Sequence, residues 1–256
     1  MQKDREISIL MRKIRVALTP KDWLLKTTLS NGAIVYGKNR PGFGGRGIYL
    51  FRDAIEPEFE HLEKFLDPQG TFIDVGANTG IYTIKAAKYY GSEGTVLSIE
   101  PFPDVLATLF HSIRVNGFAN VRLRNFCAGE KTSSANLWLN HGNPHSFSLL
   151  KHEDKASCFS TLTVALDDLF EWEGLNRLDY LKIDVEGAEQ QVLAGASKII
   201  AKYRPIIQVE VILKEISFNF PSYSVFLAPN SLNKVYIPNE SSKIDLPKQL
   251  GWEQVK

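Results

Sequence analysis

The stretch Thr71 to Gly80, T-F-I-D-V-G-A-N-T-G, constrains the fold more than any other part of the chain. Thr71, Phe72, Ile73 and Val75 form an apolar, β-branched run that reads as a buried strand. Gly76 and Gly80 bracket a tight turn, and from Ile81 the apolar spacing becomes helical. Glycine has no Cβ and tolerates positive φ, so such a turn lets a ligand approach the backbone closely. The helix start also aims its free N–H groups at whatever lies above the sheet.

The turn departs from the dinucleotide fingerprint G-x-G-x-x-G. Its middle position is Asn78, and an acid, Asp74, sits inside the strand end. An acid there repels a pyrophosphate and suits an ammonium group or a ribose. Asp-x-Gly-x-x-x-Gly at a strand end resembles the S-adenosylmethionine pattern of class I methyltransferases. The plainer alternative is an ordinary strand–turn–helix connection.

A second strand, Thr95 to Ile99, ends at Glu100-Pro101. Two carboxylate oxygens at such a place can accept from both hydroxyls of a ribose. A helix with Leu106, Leu109 and Ile113 on one side closes at Asn116-Gly117, and Val121 to Cys127 reads as a third strand. Strand, helix, strand, helix, strand is half of a doubly wound sheet with right-handed crossovers. Ligands of such sheets bind at the carboxyl ends of the strands, where Asp74, Gly76 and Glu100 lie.

A second constellation runs from Arg177 to Gly187, R-L-D-Y-L-K-I-D-V-E-G. Leu181 and Ile183 make a buried strand that delivers Asp184 to the same edge, with Glu186 expected to begin the next helix. Acids at the end of a core strand are costly to bury without partners, which points to catalysis, substrate hydroxyl binding or a metal. The plainer reading is helix capping by Asp184 with Glu186 as a first-turn acid. Lys182 either pairs with one of these acids or faces water.

The rest of the chain frames this core. Residues 1–55 are expected as an N-terminal extension. It comprises a helix with Ile7, Leu10, Met11, Ile14 and Leu18 at helical spacing, then a hairpin turning at Asn31-Gly32. The helical stripe is expected to pack on the domain, with an oligomer or membrane contact as the alternatives. Pro41 to Gly47 reads as a glycine-rich loop without the Lys of a P-loop. Residues 56–256 are expected as the main domain, with an insertion at about 128–160. Long insertions are often functional, and this one holds His145 in the segment best placed to act as a lid.

At 256 residues with 44% hydrophobic content the chain has ample core for such a domain. A net charge of +1 argues against a strongly basic nucleic-acid footprint. No apolar run is long enough to span a bilayer, and the charged N-terminus does not read as a secretory signal. Two cysteines, Cys127 and Cys158, make no disulfide framework or metal spacing, so a cytoplasmic setting is expected.

With these residues placed, the chain resembles the FkbM family of S-adenosylmethionine-dependent methyltransferases. The resemblance rests on F-I-D-V-G-A-N-T-G (72–80), E-P-F-P (100–103), Asn116-Gly117, T-V-A-L-D-D-L (163–169), K-I-D-V-E-G-A-E-Q-Q-V-L-A-G-A (182–196) and N-K-V-Y-I-P (233–238). It implies the Rossmann-like α/β fold of class I methyltransferases: a doubly wound, seven-stranded sheet, mostly parallel, with one antiparallel strand near the C-terminus. It also implies O-methylation, with acceptors that include hydroxyls of sugars, glycans, lipids and natural products. One departure is Ser112, where the family pattern carries an asparagine.

The chemistry expected is an in-line displacement in which the protein supplies proximity and alignment. An alcohol is a poor nucleophile, so a general base helps. Asp184, Glu186 and His145 are the candidates, His145 being the best matched to neutral pH. Asp74 and Gly76 are expected at the methionine end of the cofactor, Asn78 and Gly80 in the turn, and Glu100 at the ribose. A magnesium ion on Asp184 with Glu186 or Glu210 is a further expectation, since magnesium prefers oxygen ligands. Three alternatives stand beside this reading: an NAD-linked oxidoreductase, an RNA methyltransferase, and a non-catalytic S-adenosylmethionine-binding module.

Overall fold

The computed structural model describes residues 2–40, 45–139, 147–148, 158–210 and 219–255. Helix α1 (Gln2–Leu18) leads into a hairpin, β1 (Leu24–Thr28) and β2 (Ile34–Lys38). The hairpin turns where expected, with Gly32 at φ +83. Helix α2 (Gly45–Phe51), a 3-10 turn (Arg52–Ile55) and α3 (Pro57–Phe65) follow. The expected loop Pro41 to Gly47 is therefore shorter at its end, because Gly45 to Gly47 open α2; residues 41–44 lie outside the described residues.

The apolar stripe of α1 does not pack on the domain. Leu10, Met11, Ile14 and Leu18 are exposed, at 57%, 62%, 46% and 81%. The inward side is Ile9, Arg12, Val16 and Thr19, each half-buried. Arg12 holds that side down by donating to the backbone carbonyls of Tyr49 and Leu50. Periodicity fixes a helix with one apolar face, but not what that face meets.

The central run is as the glycine stretch predicts. Strand β3 (Thr71–Val75) passes to α4 (Ile81–Tyr90), β4 (Thr95–Ile99), α5 (Pro103–Asn116) and β5 (Val121–Arg124). The third strand ends three residues early, and Cys127 opens β6 (Cys127–Gly129) in a separate sheet. That sheet is completed by β7 (Ser133–Leu139), β8 (Phe147–Ser148) and β9 (Cys158–Ala165), in the order β6-β9-β7-β8. The insertion is thus built on its own small sheet.

The chain returns through α6 (Leu166–Trp172) to β10 (Tyr180–Ile183), α7 (Glu189–Ala194), α8 (Ser197–Tyr203) and β11 (Ile206–Glu210). Glu186 does not begin α7, which starts at Glu189. Glu186 itself sits at φ +54 and Gly187 at φ +101, a left-handed turn that an α-helix cannot include. Strands β12 (Tyr223–Leu227) and β13 (Asn233–Pro238), helix α9 (Leu246–Gln249) and β14 (Glu253–Val255) finish the chain.

The main sheet has eight strands in the order β14-β12-β13-β11-β10-β3-β4-β5. Strands β5, β4, β3, β10 and β11 pair in parallel. Strand β13 inserts antiparallel between β11 and β12, which is the expected antiparallel strand near the C-terminus. Edge strand β14 is the addition to the seven expected. The α/β, Rossmann-like doubly wound fold stands.

Alternation along the strands divides two cores. Phe72 and Val96 face one layer, with Phe59, Leu62, Ile84 and Leu109 and with Leu29, Val35 and Ile48 from the hairpin and α2. Ile73, Val75, Leu97 and Ile99 face the other, with Leu169, Val192 and Ile199. Ser112 finds its role in the first layer: its hydroxyl accepts from the Tyr36 N–H at 3.0 Å. Asn116 clasps both backbone groups of Ile34, at 2.8 and 2.6 Å. Among the described residues no helix is long and apolar enough to cross a membrane.

Candidate functional site

Strand order reverses between β3 and β10, and a doubly wound sheet opens its ligand crevice at that point. The glycine turn closes the crevice floor. Gly76 has φ +73, and a Cβ there would stand 1.8 Å from the carbonyl oxygen of Asp184. No other residue type fits. The N–H groups of Gly76 and Ala77 both donate to the Ile99 carbonyl at 3.0 Å, and the Asp184 N–H donates to the Val75 carbonyl at 3.0 Å. The ends of β3, β4 and β10 are thereby pinned together. Gly80, at φ +77, turns the chain into α4; a Cβ there would meet Leu109 at 2.1 Å.

Above the turn lies a cavity of about 290 Å³. Gly76, Asn78 and Glu100 line it, with Phe102, Val105 and Leu137 as an apolar wall and Asp184, Glu186 and Glu210 along the opposite side. Leu137 comes from β7 and Ile55 from the end of the N-terminal extension, so the insertion and the extension both contribute walls. Glu100 Oε2 accepts from the Asn78 N–H at 2.7 Å, and Oε1 from the Phe102 N–H at 2.8 Å. Burial pushes its pKa up to about 7, against the pull of those two hydrogen bonds. Each oxygen keeps a lone pair for a ligand hydroxyl.

Asp74 stands behind the wall, fully buried. Its Oδ2 accepts from the Thr83 hydroxyl at 2.6 Å and the Thr83 N–H at 3.1 Å, which fastens the first turn of α4 to β3. Its Oδ1 makes no hydrogen bond among the described residues and lies 3.9 Å from the Lys182 ammonium. Burial raises the Asp74 pKa, partly countered by Lys182 and Thr83.

Lys182 is the residue whose role the sequence left open. It is buried, 3.1 Å from Asp184 Oδ2, and its ammonium lies over the Tyr82 ring. Burial disfavours the ammonium, but the Asp184 and Asp74 carboxylates outweigh that and hold its pKa above the ordinary lysine range. Asp184 keeps about a third of its side chain (36%) open. Burial would raise its pKa, yet Lys182 and a hydrogen bond from Glu210 bring it below the ordinary value. Glu210 shows the complement. Its own burial and the Asp184 charge push it up to about 8. The register Ile183↔Val209 places the two acids side by side, so near neutrality they share one proton, held on Glu210.

The structure thus brings together Asp74, Gly76, Asn78, Gly80, Glu100, Asp184 and Glu186 at one carboxyl edge. Glu186 is exposed on the rim. His145 lies outside the described residues. Sequence reasoning did not single out Glu56 or Tyr82. Tyr82 donates to Glu56 at 2.6 Å and accepts from Gln208 at 3.0 Å, and Tyr180 donates to Gln208 at 2.8 Å. The one visible signal was Gln208, a polar residue inside an otherwise apolar strand. The magnesium expectation finds no donor set: among the described residues no three His, Cys, Asp or Glu side chains converge, and the charge of Asp184 is already met by Lys182.

The profile of the methyltransferase FkbM domain matches residues 74–231. Methyltransferase 1 of Beauveria bassiana is 28% identical over 170 residues, covering 55% of this chain and 68% of that protein. Methyltransferase sdnD of Sordaria araneosa is 24% identical over 239 residues, covering 73% and 92%. Among solved structures, the methyltransferase FkbM of Methylobacillus flagellatus KT aligns with a TM-score of 0.49 at 18% identity, over 75% of this chain. The chain spans about half (53%) of the length of that protein.

Proposed function

Since this chain belongs to the FkbM family of S-adenosylmethionine-dependent methyltransferases, we propose that it transfers the methyl group to a hydroxyl oxygen. The acceptor would be a sugar, glycan, lipid or natural product. One observation carries the preference for oxygen: the Asp184 carboxylate at the cavity wall, 3.1 Å from Lys182 and beside Glu210 by strand register. An amine or thiolate acceptor needs little help to attack, whereas a hydroxyl gains on the order of 10²–10⁴-fold from a base.

The cavity suits the cofactor on its own features. Gly76 leaves a cradle that a Cβ would fill, and Glu100 offers two carboxylate oxygens to a ribose; Asp74, behind the wall, supports the turn by holding the first turn of α4. Phe102, Val105 and Leu137 offer an apolar slot for an adenine. When bound, the sulfonium supplies an electrophilic methyl group. The residues of the chain do the remainder. Gly76, Asn78 and Gly80 shape the floor, Glu100 fixes the ribose, and the apolar wall excludes water. Asp184 accepts the hydroxyl proton, with Glu210 setting its charge; Glu186 borders the acceptor side.

The test is labelled methyl transfer from S-adenosylmethionine to a panel of hydroxyl acceptors and their amine and thiol counterparts. The proposal expects acid-stable ether products, with the rate lowered in Asp184→Asn and cofactor binding retained. Transfer only to amines or thiols would overturn the oxygen preference. Cofactor binding without transfer to any acceptor would favour the non-catalytic module.

A further inference from the structure

The exposed face of α1 is a feature that the methyl-transfer site does not use. Leu10, Met11, Ile14 and Leu18 follow one another along it, and Trp23, shortly after the helix in sequence, is exposed as well (66%). Single exposed apolar residues are ordinary, but a contiguous patch marks a surface that meets something apolar. The helix is not loosely attached. Arg12 ties its inner side to α2, and the Asn39 amide donates to the carbonyls of Val16 and Thr19 at 2.8 and 2.7 Å. The apolar residues are held outward by contacts that fix the opposite side.

Charge identifies the partner. A groove of about 740 Å³ runs beside the helix, and Arg15, Lys26 and Arg52 line it together with Met11, Ile14 and Leu18. No acid lines it among the described residues. Lys13 flanks the stripe on its other side. None of Lys13, Arg15, Lys26 and Arg52 has a side-chain ion pair or hydrogen bond among the described residues. From Gln2 to Thr28 the cations are Lys3, Arg5, Arg12, Lys13, Arg15, Lys21 and Lys26, against the acids Asp4, Glu6 and Asp22, the last paired with Arg40. A second copy of this face would bring like charge against like. An apolar stripe edged by free cations instead fits a surface that is apolar inside and negative outside.

We propose that this face seats the protein on an anionic membrane surface, with Leu10, Met11, Ile14 and Leu18 in the acyl boundary and Arg15, Lys26 and Arg52 on lipid phosphates and carboxylates. An amphipathic helix lying in the interface binds by buried apolar area together with attraction to anionic lipid. Tryptophan favours the headgroup level, where Trp23 would sit.

Vesicle flotation tests it, using phosphatidylcholine vesicles with and without phosphatidylserine, at low and physiological salt. The full chain floats with the phosphatidylserine vesicles, not with phosphatidylcholine alone, and salt weakens the association. Arg15→Gln and Lys26→Gln each weaken it on the order of fivefold, and the triple variant L10S/I14S/L18S abolishes it. These positions are exposed, so each variant keeps the wild-type thermal midpoint, which serves as the folding control. No flotation with phosphatidylserine, equal flotation with both vesicle types, or undiminished flotation of the triple variant would each overturn the proposal. So would a wild-type dimer in sedimentation velocity that the triple variant dissolves, since the occupant would then be a second copy.

Discussion

Lys182 decides what Asp184 can be. A carboxylate at the end of a core strand would drift towards its protonated form, and the ammonium 3.1 Å away keeps it ionised. The proton that this arrangement displaces resides on Glu210. Two outcomes follow. Asp184→Asn lowers kcat by about 10²–10⁴-fold with little change in cofactor affinity, read by parallel kinetics and titration. The rate of the wild-type enzyme rises as pH passes about 8, where the shared proton leaves Glu210, and Glu210→Gln flattens that limb of the profile. Stability moves in the opposite sense. The folded state raises Glu210 from its ordinary 4.5 to about 8, so between those values it holds a proton that the unfolded chain has released. The stability from this group is full below the lower value and is lost as pH rises towards the upper one. Denaturant titrations of wild type and Glu210→Gln across that window check the sign.

At the level of elements, the site depends on α4 being fixed against its neighbours. Asp74 and Thr83 fix its first turn, and Lys85 fixes its middle. The Lys85 ammonium is buried, 2.8 Å from Asp53 and 2.7 Å from the Phe59 carbonyl. Asp53 in turn accepts from the N–H and hydroxyl of Ser30, both at 2.8 Å. One cation thus joins the hairpin, the 3-10 turn, α3 and α4. Lys85→Ala leaves half-buried Asp53 with only Ser30 as a partner among the described residues, and the Phe59 carbonyl without this donor. It should destabilise the fold by about 1–3 kcal/mol in urea unfolding. Burial would raise the Asp53 pKa, but Lys85 and Ser30 outweigh that and hold it below its ordinary 3.8. The stability it contributes is therefore present above that ordinary value and is lost as pH falls through the lowered one. Acid unfolding of wild type against Asp53→Asn measures this contribution.

At the scale of the whole molecule, what was legible in the sequence was local. The β3 run, the glycine turn, Glu100 after β4 and Asp184 after β10 are each written in a few consecutive residues, and sheet topology then brings them to one edge. What was not legible depends on tertiary partners. The sequence put Asp184 near Glu210 only as a metal pair and left Lys182 between an acid and water; that Lys182 meets the Asp184 charge follows from the fold. It could not place the start of α7, because nothing in E-G-A-E announces a left-handed glutamate at position 186. The stripe of α1 has the right period and the unexpected direction, since the fixing contacts come from Arg12 and Asn39, residues that periodicity does not weigh. His145 remains a sequence-level candidate outside the described residues.

We propose that the cavity at the β3–β10 switch point is an S-adenosylmethionine site organised by Gly76 and Glu100. Calorimetric titration of the purified protein with S-adenosylhomocysteine, beside Glu100→Ala, tests it most directly. Saturable binding to wild type is expected, weakened by roughly tenfold or more in Glu100→Ala through loss of the ribose hydrogen bonds. A folded wild-type protein that gives no binding heat, or a Glu100→Ala variant that binds as tightly as wild type, would contradict it.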